Sequence, residues 1–331
     1  MSEGEALGDI PGLTTALTLL CVTGVLLNII VIIVLSTKIQ SYSSVDLFTM
    51  NLCVSDVILA GIALPVRLNN ASRDGEDFKG GDSVCKMIMF IPLMTISSSI
   101  STMVAIAIDR FREIVKNQKM MPKVGVCVIS GIWIWSISVS SPQLYEYSVY
   151  QKYEDHYNVT SCGSHDIVAH FETAYACVII VLSYAVPLVI ITISYAHIMI
   201  FVWKAGKSQF RVGNQVLKKR VKIVKLLMAV TIVFALLWSP YFIMFGMEEV
   251  LGLDDTIHTG SGPNVTKNVM VVLSTMSNPI IHFISDSKFR KDFVNLFTMK
   301  QCVRKPPNRV HPKTTVSLVS NSGQSGSKQL R

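Results

Sequence analysis

Apolar residues fall into seven runs along the chain, near 13–35, 45–68, 86–111, 122–142, 173–203, 221–246 and 265–285, separated by polar stretches. A helix needs about 20 residues to cross a hydrocarbon layer, and each run reaches that length. Lipid offers no partner to backbone amides, so each run is expected to be helical. The pattern therefore predicts an all-α membrane protein, a seven-transmembrane helix bundle over 13–285. After the last run, Phe289, Phe293, Leu296 and Phe297 recur at helical spacing beside Lys288, Arg290 and Lys291. This predicts a short amphipathic eighth helix over 286–299, lying in the membrane interface. Residues 1–12 are expected to be a short extracellular N-terminus. The tail 300–331, rich in Pro, Ser, Thr, Lys and Gly, has the composition of a disordered cytoplasmic segment. Between the fourth and fifth runs, Tyr145, Tyr147, Tyr150 and Tyr153 alternate with other residues before Cys162, which predicts a short hairpin over the bundle mouth.

Composition strengthens this reading. Hydrophobic residues make up 50% and charged residues 16%, too apolar a balance for a soluble domain. The first run is not a secretory signal, because Glu3, Glu5 and Asp9 precede it where a signal needs positive charge. The net charge of +8 does not point to nucleic acid. With the N-terminus outside, 24 of the 30 Lys and Arg fall on the cytoplasmic side, among them Lys116, Lys119, Lys204, Lys218, Lys219 and Arg220. That asymmetry sets the orientation, N-terminus extracellular and C-terminus cytoplasmic, in a multi-pass protein of the plasma membrane. Glycosylation acceptors at Asn70, Asn158 and Asn264 fall in loops that the charge rule has already placed outside. Of seven cysteines, Cys85 and Cys162 alone face the oxidising side, so a disulfide is expected between them.

Polar groups and prolines inside the runs carry the remaining signal, since lipid penalises them. They are Asn28, the stretch from Asn51 to Asp56, Asp109-Arg110-Phe111, Trp133, Pro187 with Tyr195, Phe234 with Trp238-Ser-Pro240, and Asn278-Pro279-Ile-Ile-His282. In this order, one set per helix over 24–293, they resemble the signature of rhodopsin-like G-protein-coupled receptors, with features of the neuropeptide-receptor type. The resemblance implies a receptor and not an enzyme. It implies a switch for a heterotrimeric G protein at Asp109, Arg110, Tyr195, Asn278, Pro279 and His282. It implies an activation hinge at Phe234, Trp238 and Pro240, and a ligand pocket lined by Ile96, Tyr241, Phe242, Phe245 and Asn268. Pro240 and Pro279 lack an amide hydrogen, so each is expected to leave a carbonyl free and kink its helix. Around Asp56, the resemblance supplies Ser99, Ser274 and Asn278 as oxygen partners, a set suited to a sodium ion. No other cofactor is called for.

Three departures stand out. Phe111 and Leu237 replace a tyrosine and a cysteine that are common in such receptors. His282 replaces the tyrosine of the seventh-helix motif, and its titration near neutral pH makes a pH-sensitive active state an expectation. No acidic residue opens the sixth run, where Lys218-Lys219-Arg220 stand, so Arg110 is expected to be weakly latched and basal signalling raised.

Ligand class is narrowed by exclusion. Pro92 holds the position where amine receptors carry an aspartate, and Val272 the position of the retinal lysine, with Lys267 nearby. The outer side carries 16 carboxylates against six basic residues, a field that attracts cations and favours a cationic or amidated peptide. A lipid or another non-amine small molecule is the alternative. A transporter is the competing class, but no internal repeat is visible, and neither Gly-X-Ser-X-Gly nor His-Glu-X-X-His occurs. In the tail, Thr314, Thr315, Ser317, Ser320, Ser322, Ser325 and Ser327 are expected to take phosphate and recruit arrestin, and Cys302 to take palmitate.

Overall fold

A computed structural model describes residues 12–37, 42–66, 78, 80–154, 157–164, 169–208, 215–250, 262–285 and 287–298. Helices occupy all seven predicted runs. They are α1 (Leu13–Ser36), α2 (Ser44–Ile58), α3 (Gly81–Ile114), α4 (Pro122–Ser140), the short α5 (Gln143–Glu146), α6 (Ala169–Ile180), α7 (Val186–Ser208), α8 (Gln215–Glu249), α9 (Gly262–Ser285) and α10 (Ser287–Phe297). The fifth span is α6 and α7 joined end to end; α8 and α9 are the sixth and seventh. Helix ends run past the apolar windows because the polar flanks of α3 and α8 continue the helical hydrogen bonding.

Local chemistry explains several boundaries. Ser43 caps α2 in a reciprocal box: its hydroxyl accepts from the Asp46 amide at 3.2 Å, and the Asp46 carboxylate accepts from the Ser43 amide at 3.0 Å. Pro122 opens α4, where a missing amide hydrogen costs nothing. Two π turns, Leu59–Ala63 after α2 and Val181–Ala185 between α6 and α7, were not foreseen. Each contains the residue four before a proline, Gly61 before Pro65 and Ser183 before Pro187. A proline cannot donate back to that carbonyl, and the helix widens by one residue instead of breaking.

The third span is the axis of the bundle. Its most apolar window is 72% buried, against 22% for the fourth span and 28% for the fifth. It packs against α2, α4 and α7, while α1 lies against α2 and α9, and α8 against α9. Where α1 meets α9 the backbones approach so closely that a Cβ on Gly24 would stand 2.8 Å from Thr275 Oγ1. Among the described residues, five helices are by themselves long and apolar enough to cross a membrane; α9 passes the same test together with α10, from which it is bent by 94°, and the described apolar part of α8, Thr231–Met247, is shorter. Phe289 of α10 is buried with Val31, Val34, Leu35 and Cys53, so this helix closes one end of the bundle against α1 and α2.

The predicted hairpin forms at the other end. Strand β1 (Tyr147–Glu154) pairs antiparallel with β2 (Tyr157–Ser164), placing Val149 opposite Cys162. A disulfide joins Cys85 at the start of α3 to Cys162, with Cα atoms 5.6 Å apart. The Val149 amide donates to Asp82, which also pairs with Lys86 of its own helix at 2.8 Å, so the hairpin is tied to α3 two ways, by the disulfide and by this hydrogen bond. Asn158 lies in β2 of this hairpin, and Asn264 lies in the first turn of α9, which Gly262-Pro263 starts three residues before the apolar run. Asn70, Cys302, the residues before 12 and the tail lie outside the described residues.

Candidate functional site

The polar groups that the sequence singled out meet between helices. Asn28 donates to the Gly24 carbonyl of its own helix and, at 2.7 Å, to the Thr275 carbonyl of α9. Thr275 is the residue four before Pro279, so Asn28 occupies the carbonyl that the proline orphans. The other proline is served likewise: Ser239 donates its hydroxyl to the Leu236 carbonyl, four before Pro240, at 3.1 Å. The expectation of two free carbonyls is thus corrected, because a neighbouring side chain supplies each missing donor. Asn51 donates to Thr102 on α3 and accepts from the Trp133 indole of α4, both at 2.8 Å. Ser55 donates to Ser98 at 3.0 Å, and Asn278 donates to the Asp56 carboxylate at 3.0 Å. Asp56, Ser99, Ser274 and Asn278 are all buried, Ser274 bonds back to Val271 of its own helix, and Asn278 Oδ1 has no hydrogen-bond partner.

At the hairpin end, aromatic rings form a stepped floor. Trp238 is 2% exposed, packs at 5.8 Å from Phe234, and meets Tyr241 edge-on at 5.6 Å. Tyr241 stacks on Phe245 at 6.3 Å. Phe242 turns toward the fifth span and stacks on Tyr184 at 4.4 Å. Ile96 and Asn268 are buried on α3 and α9. Two charged residues that sequence reasoning left out of the site are buried there as well. Lys267 is 6% exposed, with Nζ 5.9 Å from the centre of the Tyr241 ring. Glu146 is 4% exposed, shares one face of α5 with the buried Gln143, and lies near enough to Tyr175 to act on its hydroxyl electrostatically. The Tyr175 hydroxyl donates to the Val139 carbonyl at 2.8 Å, which fixes it beside α4. Spacing could not reveal Glu146, because in the sequence it is one loop acid among many. Lys267 was visible only as the single cation in the outer part of its helix.

At the opposite end of α3, Arg110 donates to Asp109 at 2.5 Å and also pairs with Glu113. Glu113, three residues on along the same helix, gives Arg110 a second carboxylate that the sequence reading did not single out, and its i, i+3 spacing was the signal that could have found it. Tyr195 is buried, bonds the Thr231 side chain of α8 and feels the charge of Arg110. Pro279 is buried inside α9, and His282 is half-buried near its end.

Residues 27–282 match the model of the seven-transmembrane receptors of the rhodopsin family. The chain belongs to that family. It is a multi-pass membrane receptor and not an enzyme. Among its relatives, a QRFP-like peptide receptor of Branchiostoma floridae is 25% identical over 311 residues, covering 90% of this chain and 80% of the relative. The galanin receptor 2a of Danio rerio is 27% identical over 293 residues, covering 86% and 77%. The mouse neuropeptide FF receptor 2 is 25% identical over 328 residues, covering 92% and 76%. Within a rhodopsin-family receptor, the hairpin end and the Arg110 end become the two faces between which a signal has to pass.

Proposed function

We propose that this receptor sits in the plasma membrane with its hairpin end outside, binds a peptide with a cationic or amidated end, and activates a heterotrimeric G protein at the Arg110 end. The observation that carries the ligand class is the pair of buried charges around the aromatic floor, Glu146 beside Tyr175 and Lys267 over Tyr241. Charged groups held at a buried aromatic floor suit a ligand that brings both apolar surface and polar or charged ends, and a basic or amidated peptide terminus is such a ligand. One relative is named as a peptide receptor and another as a neuropeptide receptor, and the acidic outer loops favour the same cationic ligand.

In this reading, ligand pressing on Tyr241 and Phe245 repacks Trp238 against Phe234 and shifts the sixth span. The shift separates Tyr195 from Thr231 and lets Arg110 turn toward the G protein. A sodium ion fits the cluster of Asp56, Ser99, Ser274 and Asn278, because Asn278 Oδ1 is a buried oxygen without a partner and the set offers one negative charge with neutral oxygens. Bound there, the ion would neutralise Asp56 and hold α2 to α9. Arrestin recruitment to the phosphorylated tail and palmitate on Cys302 complete the cycle.

The alternative is a lipid receptor. An apolar groove of about 480 Å3 between the fifth and sixth spans, lined by Ile180, Tyr184, Phe242, Ile243 and Gly246 among others, favours it. The groove contains neither Glu146 nor Lys267. A panel of amidated peptides, applied to cells co-expressing the receptor and a promiscuous G protein, decides between them by guanine-nucleotide exchange. A response that depends on the peptide's basic residue or amide supports the peptide reading. Silence to all peptides with a response to lipids overturns it.

A further inference from the structure

Arg110 is surrounded by its own helix. One Nη group donates to Asp109 at 2.5 Å, the other pairs with Glu113, and the guanidinium is only 12% exposed. Glu113 is 21% exposed, and its second oxygen stands 4.0 Å from Lys119, which is 81% exposed. One carboxylate therefore faces two cations, a half-withdrawn one at contact distance and a solvated one farther out. The inner pair dominates, since screening by water weakens the outer one. Nothing from the fifth or sixth span can compete for Arg110, because residues 173–247 contain no Asp or Glu.

We propose that Glu113 is a positioning residue of the receptor: it holds Arg110 in the resting arrangement in place of an anion on the sixth span, and passes to Lys119 when Arg110 leaves. The proposal rests on the reading of Arg110 as the G-protein switch. Its physical content is a competition. When Arg110 turns away, a half-buried carboxylate would be stranded without a countercharge. Lys119, on the loop between α3 and α4 and lining the same cavity of about 290 Å3 with Tyr42, Ser43 and Ser44, is placed to take it over. Lys119 thus lowers the cost of leaving the resting state, while Glu113 raises it. The two substitutions therefore act with opposite signs, which a pair that merely stabilised the helix would not produce.

The test needs no ligand. In membranes with matched receptor density, agonist-free guanine-nucleotide exchange should rise roughly five-fold in Glu113→Gln, as removal of one partly buried contact shifts a two-state balance. It should fall below wild type in Lys119→Ala, and the double substitution should behave like Glu113→Gln alone. Equal basal exchange in Glu113→Gln and wild type, or a rise in Lys119→Ala, overturns the proposal. If no variant, wild type included, promotes exchange on any G protein, the proposed function fails, and Glu113 is judged separately. Spin labels on Lys123→Cys and Lys222→Cys, in purified receptor with Cys127, Cys177 and Cys302 replaced by Ser, report the separation of the fourth and sixth spans. Glu113→Gln should enlarge the long-distance population; an unchanged distribution overturns the proposal without reference to any G protein.

Discussion

The two halves of the bundle are held together by different chemistry. Between the first, second, third, fourth and seventh spans, hydrogen bonds from buried side chains are added to the apolar core: Asn28 to the Thr275 carbonyl, Asn51 to Thr102 and Trp133, Ser55 to Ser98, and Asn278 to Asp56. The fifth and sixth spans meet through rings and apolar side chains, with Tyr184 stacked on Phe242, while the floor from Phe234 to Phe245 lies within the sixth span itself. Among the described residues their polar ties run through two tyrosine hydroxyls, Tyr184 to the Ala235 carbonyl at 3.2 Å and Tyr195 to Thr231. Hydrogen bonds are directional and fail within fractions of an ångström, whereas apolar contacts tolerate sliding. One half is built to stay and the other to move, and the predicted hinge residues Phe234, Trp238 and Pro240 lie in the half that moves.

Substitutions can break this contrast, and the largest effect belongs to the tie that fixes the hairpin. Cys85→Ser opens a disulfide that spans 77 residues of sequence, at a cost of about 4 kcal/mol in the chain-entropy account. Surface expression should collapse, and retention of most receptor at the cell surface would show that Asp82 and the strand pairing suffice. Next comes Asn51→Leu, which leaves the Trp133 indole without its acceptor and Thr102 without its donor. The expected loss is about 1 to 3 kcal/mol, read as a clear drop in the melting temperature of detergent-purified receptor. Asn28→Leu should cost somewhat less, about 1 to 2 kcal/mol, by orphaning the Thr275 carbonyl that Pro279 cannot serve. The smallest effect on stability is expected for Tyr184→Phe, about 0.6 kcal/mol or less. That substitution should still raise basal exchange, because it removes a polar tie of the moving half. A stability loss as large as that of Asn51→Leu would erase the contrast.

Much of this was legible in the sequence, and the reason differs from residue to residue. The seven runs and the hairpin are local patterns, set by lipid and by alternation, and they reappear as α1 to α9 and as β1 with β2. Cys85 and Cys162 were legible because every other cysteine was placed elsewhere. The π turns were not, although Pro65 and Pro187 were in plain view, because a proline can kink, break or widen a helix and only packing selects among these. Asn28 announced itself as a polar group in lipid, but its service to the carbonyl orphaned by Pro279 needed two helices side by side. Glu146 was hidden for a related reason. In a chain with 22 carboxylates, it is burial that separates this one from solvated ones, and burial is a property of the assembled bundle.

The central claim is that the sixth span moves against a hydrogen-bonded half. Hydrogen–deuterium exchange on purified, ligand-free receptor tests it most directly, through peptides covering 231–247 and 270–280 at equal depth in the bundle. The account predicts that amides of the sixth span exchange at least tenfold faster than those of the seventh, and that Asn28→Leu narrows the gap by loosening the seventh. Equal protection of the two spans in the wild-type receptor would contradict it.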